Sequence, residues 1–197
     1  MAEANPKARV NLERAVTLLL DDNPEGISIL VQIVTAFGIK TLHRCTSIEA
    51  AQEVAGQYEL DLIVANANMR DSSGYDFVSW LRRVNLEPNS FTPAIILTGH
   101  TQVSNVRKAR DCGANFIVAK PVSPSVLLER ILWVARESRP FVACDTYVGP
   151  DRRYKDMGPP EGMEGRRRED KLAKAATPAP AAEESGEVPE AQAKAVQ

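Results

Sequence analysis

Residues 61–82 read DLIVANANMRDSSGYDFVSWLR, and the pattern changes character partway along. Leu62, Ile63, Val64 and Ala65 form an unbroken apolar run, as expected of a parallel strand covered on both faces. Ser73 and Asp76, three residues apart, are spaced like the capping box that opens a helix. Phe77, Val78, Leu81 and Val84 then supply that helix with an inward face. A buried strand, a polar turn and an amphipathic helix in this order are the repeating piece of an α/β fold with a parallel sheet.

The same alternation extends in both directions. Strands are expected at residues 15–20, 39–43, 60–65, 94–98 and 116–118. The first helix has Asn23 as N-cap and Pro24 at its first position, where the missing N–H costs nothing. Ile27, Leu30, Val31 and Val34 make its apolar face. A second helix runs from Ser47 to about Ala55. The fourth, over 103–112, is sparingly apolar, with Val106 and Ala109 as its candidates for burial. The fifth opens at Ser123-Pro124 and is expected to bury Leu128, Ile131, Leu132 and Ala135. The fold class is thus α/β, a doubly wound five-stranded parallel sheet.

Beyond Ser138 the chain turns rich in charge and turn formers, and its end is biased to Ala, Pro and Glu. Such composition cannot bury enough apolar surface to offset the entropy of ordering it. The expected organisation is a flexible N-terminus at 1–11, one domain at 12–138, an extension at 139–151 and a largely disordered tail at 152–197. Phe141, Val142, Tyr147 and Val148 are apolar enough to pin the extension to the domain.

Composition excludes several classes. Twenty-four Lys and Arg against 26 Asp and Glu give a net charge of -2, which argues against general attraction to nucleic acid or anionic membrane. No stretch approaches the roughly 20 apolar residues needed to span a bilayer, and the first residues carry no signal-peptide pattern, so a cytoplasmic location without membrane insertion is expected. Cys45, Cys112 and Cys144 are far apart and in no CxxC spacing, which suggests reduced, mostly buried thiols. His43 and His100 are single and separated, without metal-site spacing, and are expected at the surface or at strand ends. No nucleophile elbow, Walker loop or GxGxxG occurs, so the chain is not expected to be an enzyme.

Polar residues gather where an open parallel sheet places function, at the carboxyl ends of its strands. Asp21 and Asp22 follow the first strand, Asn66 the third and Lys120 the fifth, while Thr98 ends the fourth. Each has an ordinary structural role open to it as a cap, a turn former or a member of a satisfied polar network.

The pieces LLLDDNPEG, DLIVANANMRDSSGYDFVSWLR, AIILTGHT, DCGAN and FIVAKPVSP, in this order and spacing, resemble the receiver domain of bacterial two-component response regulators over residues 12–138. The resemblance implies a flavodoxin-like receiver fold. It makes Asp21 and Asp22 the acidic pair that holds magnesium, with the backbone carbonyl of Asn68 as a further ligand. Thr98 becomes the switch hydroxyl and Lys120 the phosphate-facing lysine, with the following peptide often cis. Two positions depart from the pattern: the phosphoacceptor is Asn66, and the aromatic switch position is Ile117.

An amide is neutral and offers N–H donors where phosphoryl transfer needs an anionic oxygen. Asn66 is therefore not expected to form an acyl phosphate. With one carboxylate fewer, magnesium binding should be weak or lost, no cofactor is required, and Lys120 is free to pair with Asp21 or Asp22. The expected function is a pseudo-receiver adaptor in phosphorelay signalling, binding a histidine kinase, a phosphotransfer protein or another signalling protein independently of phosphorylation. In the family, the fourth strand, fourth helix and fifth strand form the docking face, and helices four and five can pair two copies. The tail offers neither helix-turn-helix periodicity nor dense basic residues, so DNA is not an expected partner.

Two alternatives differ in kind. One is a phosphoryl-accepting relay protein that uses Asp22, Asp71 or a deamidated Asn66. The other is an anionic-nucleotide sensor in which Arg152, Arg153, Arg166, Arg167 and Arg168, forked cation donors suited to phosphate, fold over the ligand.

Overall fold

A computed structural model describes residues 11–84, 86–99, 103–136, 140–144 and 146–151, all within the unit Met1–Met157. Five parallel strands carry the fold: β1 (Val16–Leu20), β2 (Thr41–Cys45), β3 (Leu62–Asn66), β4 (Ala94–Thr98) and β5 (Phe116–Ala119). Their order is β2-β1-β3-β4-β5, the doubly wound arrangement in which the direction of winding reverses between β1 and β3. The helices are α1 (Pro24–Ala36), α2 (Ile48–Gln57), α3 (Gly74–Arg83), α4 (Val103–Asp111) and α5 (Pro124–Arg136).

Alternation along each strand builds two cores. Leu18, Leu20, Ile63, Ala65, Ala94 and Ile96 face one side with Phe77, Val78 and Leu81 of α3 and Ala109 of α4. Leu19, Leu62, Val64, Ile95 and Leu97 face the other with Leu30 and Val34 of α1 and Leu127 and Ile131 of α5. Because both faces are covered, β3 and β4 are buried at every position, which is why their sequences show no alternation.

The caps read from the sequence are in place. The Asn23 side chain accepts from the Glu25 N–H at 3.0 Å, and Ser73 Oγ accepts from the Asp76 N–H at 3.2 Å. The Asp76 carboxylate accepts from the Ser73 hydroxyl at 2.6 Å, so it closes the turn through the side chain instead of the Ser73 amide. Strand β2 starts two residues later than expected, and β3 reaches Asn66.

Several expected core positions differ. On α4, Ala109 is buried but Val106 is 44% exposed. On α5 the inward residues are Leu127, Ile131 and Val134, while Leu128 and Leu132 are half-buried and Ala135 is exposed. The apolar stripe of α5 is broad enough to satisfy two phases, and contact with the sheet chose the one starting at Leu127. His43 is half-buried with Nε2 enclosed and without a hydrogen-bond partner, its ring 4.3 Å from that of Tyr58.

After α5 the chain forms an antiparallel hairpin, β6 (Phe141–Cys144) with β7 (Tyr147–Pro150). It is held by Arg82, which is only 4% exposed. The Arg82 guanidinium donates to the carbonyls of Gly113 at 3.1 Å, Ser90 at 2.8 Å and Thr92 at 2.7 Å. The Phe141 ring lies 5.1 Å over its central carbon, and Phe141 meets Phe91 edge-on at 5.2 Å. Burial draws the Arg82 pKa down to about 10, so the group keeps its charge at neutral pH. Gly113, at φ +87°, lets Val148 approach, since a Cβ there would lie 2.6 Å from the Val148 carbonyl oxygen. No helix among the described residues is long and apolar enough to cross a membrane.

Candidate functional site

The ends of β1, β3 and β5 bring three of the singled-out side chains into one hydrogen-bonded group. Asp21, directly after β1, is fully buried. Its Oδ1 accepts from the backbone N–H of Asn23 at 3.0 Å and from Nδ2 of Asn66 at 3.0 Å, and its Oδ2 accepts from Nζ of Lys120 at 3.0 Å. Gly26 makes room for this carboxylate, because a Cβ there would lie 2.8 Å from Oδ2. The peptide between Lys120 and Pro121 is cis.

Asn66 Nδ2 donates a second bond, 2.8 Å, to the backbone carbonyl of Asn68. Its two N–H groups are thus both used. Chemistry fixes the amide's orientation: turned over, it would set an oxygen against a carboxylate and a carbonyl, repulsive on both sides. Asp22 is separate from this group. Its Oδ2 accepts from the backbone N–H of Arg70 at 2.9 Å, and the Arg70 Nε lies 3.7 Å away.

These contacts test the magnesium ion that the family resemblance implies. A hard divalent cation needs inward-facing oxygens with free lone pairs. Here an amide N–H group stands between Asp21 and the Asn68 carbonyl, where two of the oxygens would have to converge on metal. The Lys120 ammonium takes the other Asp21 oxygen, and Asp22 turns toward Arg70. The residues present do not fit the ion.

Thr98, at the end of β4, is fully buried, and its carbonyl accepts from the Lys120 N–H at 2.7 Å. Ile117, two residues into β5, is half-buried against the core shared with α3 and α4. Asp22 and Asp71 line an open depression of about 380 Å³ with Thr46, Ser47, Glu49, Met69, Arg70 and Ser72. Arg152, Arg153, Arg166, Arg167 and Arg168 lie outside the described residues, as does His100. Among the described residues, no cluster of three or more His, Cys, Asp or Glu side chains could hold a metal ion.

Two residues beside the site were not singled out in the sequence. Gly74 opens α3 so close to β3 that a Cβ would collide with the Asn66 carbonyl oxygen. Tyr75, 8% exposed, follows it. Burial raises the Tyr75 phenol above its ordinary pKa while the Thr98 hydroxyl pulls it the other way. Tyr75, Val78 and Arg82 fall at i, i+3 and i+7, so the helical phase carried the signal for the burial of Tyr75 and of Arg82.

Comparison with known proteins agrees with this architecture. The family model of the response regulator receiver domain matches residues 17–132. Among curated proteins, the chain is 28% identical over 123 residues to a probable cyclic di-GMP phosphodiesterase of Vibrio cholerae, and 27% identical over 126 residues to the sensor protein EvgS of Escherichia coli K12. Those alignments cover 61% and 64% of this chain but only 26% and 10% of the two larger proteins. The polar-differentiation response regulator DivK of Brucella ovis is 23% identical over 114 residues, covering 58% of this chain and 90% of DivK. The solved structure of the chemotaxis response regulator CheY4 of Vibrio cholerae superposes with a TM-score of 0.55 at 24% identity, covering 61% of this chain and 98% of CheY4, a likeness of fold. The match to more than half of the chain, on a sheet of order β2-β1-β3-β4-β5 with its polar group at the β1–β3 switch, makes this protein a member of the response regulator receiver domain family.

Proposed function

We propose that this protein is a pseudo-receiver: a binding adaptor of two-component signalling that works without accepting phosphate. The observation that carries this function is the Asn66 amide, which donates at once to Asp21 and to the Asn68 carbonyl. At the position where a receiver needs a nucleophilic carboxylate there is a neutral group whose donors are already engaged. Lys120, the cation that would otherwise meet the phosphoryl group, is bound to Asp21. The pocket satisfies itself with hydrogen bonds, requires no metal, and holds one arrangement in place of two.

The partner is a histidine kinase, a phosphotransfer protein or another signalling protein, met through β4, α4 and β5. Support for this face comes from α4, which exposes Val106 together with Arg107, Lys108 and Arg110, an apolar centre with cationic neighbours. The test is amide NMR of wild type and Asn66→Asp with magnesium and beryllofluoride, a phosphoryl mimic that needs a carboxylate to coordinate it. Response around Thr98 and Lys120 in the variant alone is expected. An equal response in wild type would overturn the proposal, as would intact-mass detection of a phosphoryl group on wild type after acetyl phosphate treatment.

A further inference from the structure

The three hydrogen bonds of the buried Arg82 guanidinium end on main-chain carbonyls, those of Gly113 at 3.1 Å, Ser90 at 2.8 Å and Thr92 at 2.7 Å. These carbonyls belong to the two connections that frame β4, α4 and β5. Gly113 lies in the turn from α4 into β5, where its N–H donates to the Arg110 carbonyl, while Ser90 and Thr92 lead into β4. Asn115 joins the same two connections again: its side chain accepts from the Ala94 N–H at 3.0 Å, and its own N–H donates to the Ala94 carbonyl at 2.8 Å. A guanidinium is costly to take out of water unless its donors are used, and its bonds to carbonyls strengthen where water is kept away. The hairpin supplies that cover. Phe141 of β6 stands 5.1 Å over the guanidinium carbon and meets Phe91 at 5.2 Å. On β7, a Cβ on Gly149 would lie 2.7 Å from the Gly113 Cα, so the two backbones touch where only glycine allows it.

We infer that the C-terminal hairpin is a strap for the β4–α4–β5 face, with Arg82 as its positioning residue: seating Phe141 on the guanidinium tightens the hold of Arg82 on Gly113, and so fixes the end of α4 and the start of β5. The turn at Gly113 is gripped twice, by Arg82 from α3 and by the close approach of β7. The strap also engages as one piece. The Tyr147 hydroxyl donates to the Pro150 carbonyl at 2.7 Å, and the Asp151 N–H donates to the Pro140 carbonyl at 2.9 Å, which closes the hairpin on itself. Lifting it therefore lets water to Arg82 and loosens α4 in the same step. Its bearing on partner binding rests on the docking face proposed above, whereas the coupling between hairpin and turn does not.

Hydrogen exchange of the full-length chain, with no partner and no magnesium present, tests the strap in wild type, Phe141→Ala, Phe141→Tyr, Arg82→Met and the double variant Phe141→Ala with Arg82→Met. In Phe141→Ala, amides over 109–117 are expected to exchange at least fivefold faster, while those of α1 and β2 stay within twofold of wild type. Phe141→Tyr keeps the ring over the guanidinium and should hold 109–117 within twofold of wild type. Adding Phe141→Ala to Arg82→Met should change 109–117 by less than twofold, because the ring acts on the turn through the guanidinium. Acceleration confined to 140–151 would make the hairpin a passive cover and overturn the inference. So would a uniform acceleration through all elements, failure of tyrosine to restore the rates, or effects that multiply in the double variant. Failure of the pseudo-receiver proposal is read separately, from the response of wild type to beryllofluoride.

Discussion

Nδ2 of Asn66 lies 3.0 Å from Oδ1 of Asp21, so the residue that the family resemblance places at the phosphoacceptor position is a hydrogen-bond donor to a fully buried aspartate. Asn66→Asp removes that donor and places a carboxylate against a carboxylate. The variant is expected to bind magnesium measurably where wild type does not, because two anionic oxygens and the Asn68 carbonyl then face one point. Titration followed by amide shifts near residues 21, 66 and 120 checks this. Equal magnesium affinity in the two proteins would refute the donor role.

Lys120→Met leaves the Asp21 carboxylate buried without its counter-ion. Breaking a buried pair from one side costs about 3–5 kcal/mol, and partial exposure of Lys120 brings the expected loss to about 2–3 kcal/mol. Adding Asp21→Asn should recover part of that loss, since the orphaned charge goes too. Urea unfolding of the two single variants and the double variant measures the coupling; strict additivity would show that the pair is not a unit.

Arg82→Met deprives the carbonyls of Gly113, Ser90 and Thr92 of their donor and is expected to destabilise by about 3 kcal/mol. The damage should be local first. Amides of residues 141–144 and 146–149 are expected to lose exchange protection ahead of the parallel sheet, because the hairpin rests on this guanidinium. Gly113→Ala should act on the same contact, costing about 1–2 kcal/mol from the positive φ alone, with the Val148 carbonyl pushed away in addition.

The thiols predict an alkaline limit. Burial pushes Cys45 and Cys112 from 9.0 up to about 11. Below pH 9 both folded and unfolded chains hold these protons and nothing changes. Between pH 9 and 11 the unfolded chain loses them first, so stability falls as pH rises, by up to about 1.4 kcal/mol per pH unit for each thiol. Urea midpoints at pH 8.5 and 10.5 should show the fall, and Cys45→Ala with Cys112→Ala should reduce it. A neutral thiol reagent is expected to modify half-buried Cys144 well before the other two.

Much of the fold was legible because its signals are local. Asn23-Pro24 and Ser73 mark helix starts through bonds that span two or three residues, and the unbroken apolar runs of β3 and β4 record that both faces are covered. The pairing of Lys120 with an aspartate was legible too, once Asn66 was seen to lack charge. What failed was phase. Val106 is exposed and Leu127 buried against expectation, because the apolar residues of α4 are too few, and those of α5 too many, to select one face. Arg82 was not singled out, although its spacing from Tyr75 and Val78 placed it on the inward face.

The sequence by itself determined the family, the order of elements and the presence of a neutral amide at residue 66, since these depend on residue identity and near-neighbour spacing. Only the tertiary structure decided which aspartate Lys120 binds, that the Asn66 amide serves Asp21 and Asn68 together, and that a hairpin closes over Arg82. Those partners are separated by as many as 99 residues in the chain, as Lys120 and Asp21 are. Their meeting is set by sheet order and helix packing, which no local pattern encodes.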